Sequence, residues 1–423
     1  MNIAVLKEDI NAARDAAYAL PLDQINVAQP ILFQQNAMWP YFERLRREDP
    51  VHYCAQSEFG PYWSITRYND IMAVDTNHQV FSSDFMLGGI TIGGGQANVD
   101  PLPMFIAMDP PKHDIQRKVV TPVVSPANLQ YLAPLIRERA ARILDGLPIG
   151  EPFDWVDKVS IELTAMTLAT LFDLPQEERR KLAYWSDVVT AAPGQGLIDT
   201  IEQKMQVFQE YHARFTELWN ERVNATEVRG DLISMLAHNP ATRNMEPREY
   251  FGNVVLLTVG GNDTTRNTIT GSVLALNQNP DQYDKLRANP DLITSMVSET
   301  IRWQTPLAHM RRTAKEDIEF QGKKIRKGDK VVMWYVSGNR DDTVIERPND
   351  YIIDRENPRR HISFGFGIHR CVGNRLAELQ LQIIWEEIMK RFPVIEVVAE
   401  PKRSYSTFVK GYERLMVVIP KRA

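Results

Sequence analysis

One of the two cysteines in this chain sits in a run whose neighbours bear on its chemistry: His361-Ile-Ser-Phe364-Gly365-Phe-Gly367-Ile-His369-Arg370-Cys371-Val-Gly373. Glycines two apart let a backbone turn tightly and approach another group closely. The residues that follow, RLAELQLQIIWEEIMKRF, read as a helix, which puts Cys371 at a helix start. A helix N-terminus stabilises an anion and lowers the pKa of a thiol, and His369 and Arg370 add positive charge. The spacing predicts a thiolate-favouring site. A lone cysteine is more often an inert packed residue. A nucleotide loop fits less well, because Arg370 stands where a third glycine is needed and no strand precedes it.

A second candidate is Gly260-Gly261-Asn262-Asp263-Thr264-Thr265, inside the longest helical stretch. Two interior glycines cost a helix about 2 kcal/mol relative to alanines. An acid in an apolar helix interior is expensive without partners. The plain reading is a local kink. A functional notch, with small side chains making room for a reactant and polar ones serving it, explains more of the pattern. A third is Glu299-Thr-Ile-Arg302, one turn apart on a short helix, which in isolation reads as a weak surface ion pair.

Elements must position these residues. The stretch Pro247–Asn279 reads as one long helix, with Asn244 as N-cap and Pro247 in the first turn. Its centre, VVLLTVGG, is apolar nearly all round, so it belongs in the interior. Helices are expected over Met38–Glu48, Asp281–Ala288 and Asp291–Trp303, and several more between Asp114 and Glu249, broken near Pro126, Pro148, Pro152, Pro175 and Pro193. The first twenty residues read as an amphipathic helix. VHY, YWSITRY, IEF and KVVMWYV read as short strands. The fold class is mainly α with small β-sheets, and strands and helices do not alternate as a doubly wound sheet requires.

With 423 residues and no repeat or linker, residues 1–423 are expected to form a single domain. Two cysteines exclude a disulfide framework and a cysteine-rich zinc site, and Cys54 reads as a packed core residue. A net charge of -5 argues against nucleic acid as a partner. No stretch approaches the roughly 18 apolar residues of a membrane span, and the N-terminus lacks a signal-peptide core, so a cytoplasmic protein is expected.

Phe364-x-x-Gly367-x-x-x-Cys371-x-Gly373 resembles the haem-binding signature of the cytochrome P-450 superfamily. The resemblance covers roughly residues 40 to 420. It implies that fold, a triangular prism with haem b between the long central helix and the helix after the cysteine loop. It implies Cys371 as the axial thiolate ligand, which pushes electron density onto iron and favours O–O cleavage. Phe364 would pack on the proximal side of the porphyrin. Glu299, Arg302 and Arg355 would form a structural network that holds the haem loop. Gly261 would border the haem, Thr264 would offer its hydroxyl to O2, and Asp263 would relay protons. His113, Arg117, Arg312 and His369 would neutralise the haem propionates.

No flavin or iron–sulfur domain is expected in the chain. The resemblance therefore implies NAD(P)H electrons delivered by a ferredoxin and its reductase to a monomer. Lys112, Lys118, Arg359, Arg360, Arg370 and Arg375 form the expected docking patch. Substrate positions implied are Met86, Leu87, Leu256, Val259, Gly260, Leu307, Phe408 and Val409, with Phe85–Gly95 as a glycine-rich lid. GGNDTTRN, HMRRTA and HISFGFGIHRCVGNRLAE are similar to the bacterial alkane-hydroxylase branch, which implies terminal hydroxylation of a medium-chain alkane or fatty acid. The competing readings are the same chemistry on a terpenoid or steroid, and a non-catalytic haem-thiolate sensor.

Overall fold

The computed structural model describes residues 10–94, 102–191, 193–194, 196–227 and 229–423. The expected first helix is seen from Ile10 to Ala19; its first nine residues, and Gly95 of the glycine-rich segment, lie outside the described residues. The main helices are α1 (Trp39–Glu48), α2 (Lys112–Val120), α3 (Pro126–Asp145), α4 (Arg179–Thr190), α5 (Ile201–Val223), α6 (Pro247–Gln278), α7 (Ile293–Gln304) and α8 (Asn374–Arg391).

Local chemistry explains several starts. Ser125 caps α3 by accepting from the Asn128 N–H, with Pro126 just inside. Thr200 and Gln203 form a capping box on α5. The long helix α6 departs from expectation: its N-cap is Glu246, not Asn244, and no side chain caps it. Pro247 at the first position lacks an N–H, so one orphan donor is absent there. With 32 residues, α6 spans about 48 Å at ~1.5 Å per residue.

Five short strands make the principal sheet: β1 (Val51–Cys54), β2 (Tyr62–Ile65), β3 (Phe81–Ser82), β4 (Met310–Ala314) and β5 (Lys330–Met333). Their order is β1-β2-β5-β4-β3; β2 and β5 are parallel and the other pairs antiparallel. KVVMWYV was expected to be all strand. The strand ends at Met333, and Tyr335–Gly338 turn into a short helix. Gly338 lies so close to Ile71 and Ile362 that any side chain there would collide.

The largest apolar core joins α3, α6, α7 and α8, with Trp155, Trp185 and Trp385 fully buried. Trp385 donates its indole N–H to Ser272 on α6 (2.8 Å), which fixes α8 against the central helix. A second core gathers Phe33, Phe42, Trp334 and Cys54, so Cys54 is a packed residue. Among the described residues no single helix is long and apolar enough to cross a membrane.

Candidate active site

The cysteine loop is built by two glycines in the left-handed region, Gly365 (φ 66°) and Gly367 (φ 65°). A side chain at Gly367 would run into the Asp75 backbone at 2.8 Å. The Cys371 N–H donates to the Phe364 carbonyl (2.8 Å), which closes the loop just before α8. Phe364 is half-buried against the main core.

Cys371 itself has exposed surface, yet burial pushes its thiol up rather than down. The two facts agree if that surface faces an interior cleft rather than bulk water. The backbone around Gly373 and Asn374, with Arg117 and Arg370, pulls the other way and does not win. Desolvation thus outweighs the helix terminus, opposite in direction to the lowering expected from the neighbours.

Behind the loop, Glu299 and Arg302 form a bidentate pair (2.7 and 2.8 Å), and Arg355 joins Glu299 at 2.9 Å. All three are shielded from water. Arg302 also donates to the carbonyls of Asn339 and Pro348, both at 2.8 Å. The Asn339 amide then donates to Ser363 and accepts from the Ile362 N–H, both at 2.8 Å, just upstream of Phe364. Asn339 is thus the link between the buried triad and the loop. Nothing in its sequence context marks it.

The four candidate propionate cations converge but differ in state. The rings of His113 and His369 lie 4.3 Å apart. His113 Nε2 and both ring nitrogens of His369 are buried without a hydrogen-bond partner. Burial, aided by Arg312, pushes His369 down to about 2. Arg117 donates to the Arg370 carbonyl. Arg312 pairs with Asp75 at 2.7 Å, and Asp75 also accepts from Tyr335 (2.9 Å) and the Phe366 N–H (2.7 Å). Asp75 was not foreseen from sequence; it binds Arg312 to the cysteine loop.

On α6 the flanks are buried, while Leu256, Val259, Gly261 and Thr264 are half-buried and Gly260 is exposed. The middle of the central helix is therefore partly open, where its apolar sequence suggested burial all round. A side chain at Gly260 would meet nothing within 4 Å, whereas one at Gly261 would press on Leu168 at 3.0 Å. Gly260→Val is expected to leave stability unchanged or raise it by less than about 1 kcal/mol, since valine is the better helix former, yet to weaken ligand-induced spectral shifts at least ~10-fold by filling the open space beside the helix. Unfolding midpoints and ligand titrations check both; wild-type titrations would show that Gly260 lines nothing.

Thr264 donates its hydroxyl to the Gly260 carbonyl at 2.8 Å, so its oxygen keeps lone pairs free. Asp263 is fully buried and points toward α4. Its Oδ1 accepts from Ser186 and Asn262, both at 3.0 Å, and lies 3.2 Å from Arg266. Its Oδ2 has no partner. Arg266 in turn pairs with Asp187, whose side chain is 28% exposed. Burial raises the pKa of Asp263, Arg266 lowers it, and Asp187 raises it again. The net direction is up. A chain of charged groups thus runs from the surface at Asp187 to a buried carboxyl beside Thr264. Arg266 was discoverable as a cation one turn from Asp263; Ser186 and Asp187 had no sequence signal.

Of the other candidate substrate positions, Leu307 and Val409 form an isolated β-bridge, with Phe408 beside them. Met86 and Leu87 are exposed, in the segment before α2.

A mainly α fold with a glycine-built cysteine loop and a notched central helix defines a haem-thiolate class of protein. The chain belongs to the cytochrome P450 family, whose model matches residues 149–419. It is similar to a linalool 8-monooxygenase of Pseudomonas putida, 36% identical over 95% of this chain and 100% of that protein. A methyl-branched lipid omega-hydroxylase of Mycobacterium tuberculosis is 30% identical over 89% of this chain and 90% of the relative. Cytochrome P450-153 from Novosphingobium aromaticivorans superposes with a TM-score of 0.87 at 45% identity, covering 93% of this chain and 98% of that one. The chain is accordingly a P450 monooxygenase; the family binds haem b, uses O2 and draws NAD(P)H electrons through redox partners. The residues present suit such a group: three histidine nitrogens, on His113 and His369, are buried without partners, and Cys371 at the end of its loop keeps exposed surface.

Proposed function

We propose that this P450 hydroxylates the terminal carbon of a medium-chain linear alkane or fatty acid. The observation that carries the reading is the lining of the α6 notch. Leu256, Val259, Gly260 and Gly261 present only apolar or backbone surface, so nothing there grips a polar or charged head. Burying eight methylenes at ~0.8 kcal/mol each supplies about 6 kcal/mol before association costs, enough for modest affinity. The similarity of the GGNDTTRN and HISFGFGIHRCVGNRLAE segments to the alkane-hydroxylase branch supports the same choice.

On this reading Cys371 would ligate the iron, Phe364 would pack against the cofactor, and the small Gly261 would leave room for it beside α6. His369, whose ring nitrogens have no other partner, would offer a ring N–H to a propionate, with His113 packed against it and Arg117 and Arg312 flanking. The bound haem supplies the oxidising chemistry that inserts one oxygen atom of O2 into a C–H bond. Thr264 would hold a hydroxyl at the notch, and Asp263 would supply it with protons, its carboxyl positioned by Ser186 and by Arg266, which Asp187 holds in turn. That acid–alcohol pair speaks against a sensor without turnover, which needs no proton supply.

Terpenoid oxygenation is the second reading, favoured by the relative named for linalool. Titration of the spin state with alkanes, fatty acids, linear terpenes and ring compounds separates them. Shifts with alkanes and fatty acids alone support terminal hydroxylation of linear chains. No shift with any of them sinks it.

The electron donor is proposed to be a ferredoxin served by its reductase, docking on the cysteine side of a monomer. Arg370 and Arg375 are exposed there, and Arg375 lines a groove of about 690 Å³ between α3, α7 and α8. Lys112 and Arg359 contribute less charge, because Glu249 (2.5 Å) and Glu378 (3.8 Å) neutralise them. Arg370→Glu and Arg375→Glu should each slow reduction about tenfold at low salt, with the difference shrinking as salt rises. Wild-type rates in both would place the docking surface elsewhere.

A further inference from the structure

Two side chains beside the Leu307–Val409 bridge spend their polar atoms on a distant segment. Arg311, on β4, is 5% exposed, and no carboxylate lies within ion-pair distance of it among the described residues. Its guanidinium donates to the carbonyls of Leu87 (3.0 Å), Gly88 (3.3 Å) and Gly94, and to Thr313 Oγ1 (3.2 Å). Its backbone N–H donates to the Ile90 carbonyl at 2.8 Å. The glycine-rich turn is therefore wound around one cation, and its glycines make that possible. Gly88 has a φ of 107°, and a side chain there would strike the guanidinium; one at Gly94 would strike the Gly88 carbonyl.

His309 completes the arrangement. Its Nδ1 lies 2.8 Å from the Thr407 carbonyl and must donate. Its Nε2 lies 3.3 Å from the Ile92 N–H and must accept. A single neutral tautomer satisfies both. Burial favours that form by pushing His309 down to about 4. The backbone adds two links, Ala308 N–H to the Phe408 carbonyl (2.9 Å) and Lys410 N–H to the Pro306 carbonyl (2.8 Å).

We propose that His309 and Arg311 are positioning residues that latch the glycine turn 85–94 to the turn 404–410. The latch fixes the spacing between the wall carrying Met86 and Leu87 and the wall carrying Phe408 and Val409. It thereby sets which carbon of an extended substrate is presented for oxygenation. The proposal rests on the oxygenation reading above.

The test compares haem-loaded wild type with His309→Asn, His309→Gln and Arg311→Lys. Asparagine places an amide near Nδ1 and keeps the Thr407 bond while losing Ile92; glutamine reaches the Nε2 position and keeps Ile92. Hydrogen exchange is followed in peptides covering 85–94 and 404–410, and products are analysed from n-octane. His309→Asn should speed exchange in 85–94 about tenfold, while His309→Gln restores most of that protection. Arg311→Lys, which keeps the charge but loses the planar fork, should also free 85–94. Both destabilised variants should lower the ratio of terminal to subterminal alcohol several-fold. Wild-type exchange and wild-type product ratios in His309→Asn and Arg311→Lys together would overturn the latch. The exchange measurement needs no turnover, so absence of any octane product in the wild type would count against the linear-chain reading and leave the latch judged on exchange alone.

Discussion

Asp263→Asn should reduce the rate of oxygen-dependent turnover by about 100-fold or more, the scale on which a lost proton donor acts. The substitution is close to isosteric. The amide oxygen can still accept from Ser186 and Asn262, and Arg266 keeps Asp187. What disappears is the buried carboxyl with its free Oδ2. A larger solvent deuterium isotope effect should accompany the loss. The pH profile gives a sharper check. Burial holds Asp263 above the ordinary carboxyl range, so the wild-type profile should inflect at a higher pH than a free aspartate would. Asp187 contributes to that upward shift, so Asp187→Asn should move the inflection to lower pH. Unchanged turnover in Asp263→Asn, or an inflection that moves up in Asp187→Asn, would refute the relay.

Glu299→Gln should destabilise the holoenzyme by about 3–5 kcal/mol, because removing one member of a buried ion pair strands its partners. Here two guanidinium groups would lose their shared carboxylate. The damage should reach further than stability. Arg302 positions the Asn339 carbonyl, and the Asn339 side chain positions Ser363 and Ile362. A loosened triad therefore loosens the cysteine loop, and haem loss should begin at lower urea than global unfolding. Urea titrations read by tryptophan fluorescence and by the haem band would separate the two events. Coincident, wild-type midpoints would show that the triad contributes neither stability nor loop order.

The fold class was legible because its signals are local. The length of α6, the glycine pair before Cys371 and the strand pair VHY and YWSI all follow from residue type and short-range pattern. The site was legible where chemistry is also local in sequence, as with Cys371, Asp263-Thr264 and Glu299-x-x-Arg302. It was not legible where partners meet only after folding. Asp75 is an unremarkable acid in a helix until it meets Arg312 and the cysteine loop. Ser186 and Asp187 become partners of Asp263 and Arg266 only because α4 crosses α6. The Cys371 thiol shows the same limit: neighbours in sequence argued for a lowered pKa, and burial, which sequence cannot measure, reversed the sign. The N-cap of α6 was misplaced by two residues, since Glu246 takes the position with no side-chain bond to announce it.

The pairing of α4 with the notch has a mechanical side. Ser186 and Asp187 are adjacent residues on one rigid rod, and each touches a different member of the Asp263–Arg266 pair. Hydrogen bonds near 3.0 Å fail within an ångström of stretch. A small displacement of α4 away from α6 would therefore break both contacts at once: Asp263 would keep only Asn262 as a neutral donor, and Arg266 would lose its link to the surface carboxylate. On the relay reading, the acid beside Thr264 is thus tuned by the position of a neighbouring rod to within a few ångströms, and a shift of α4 is a switch thrown at two contacts at once.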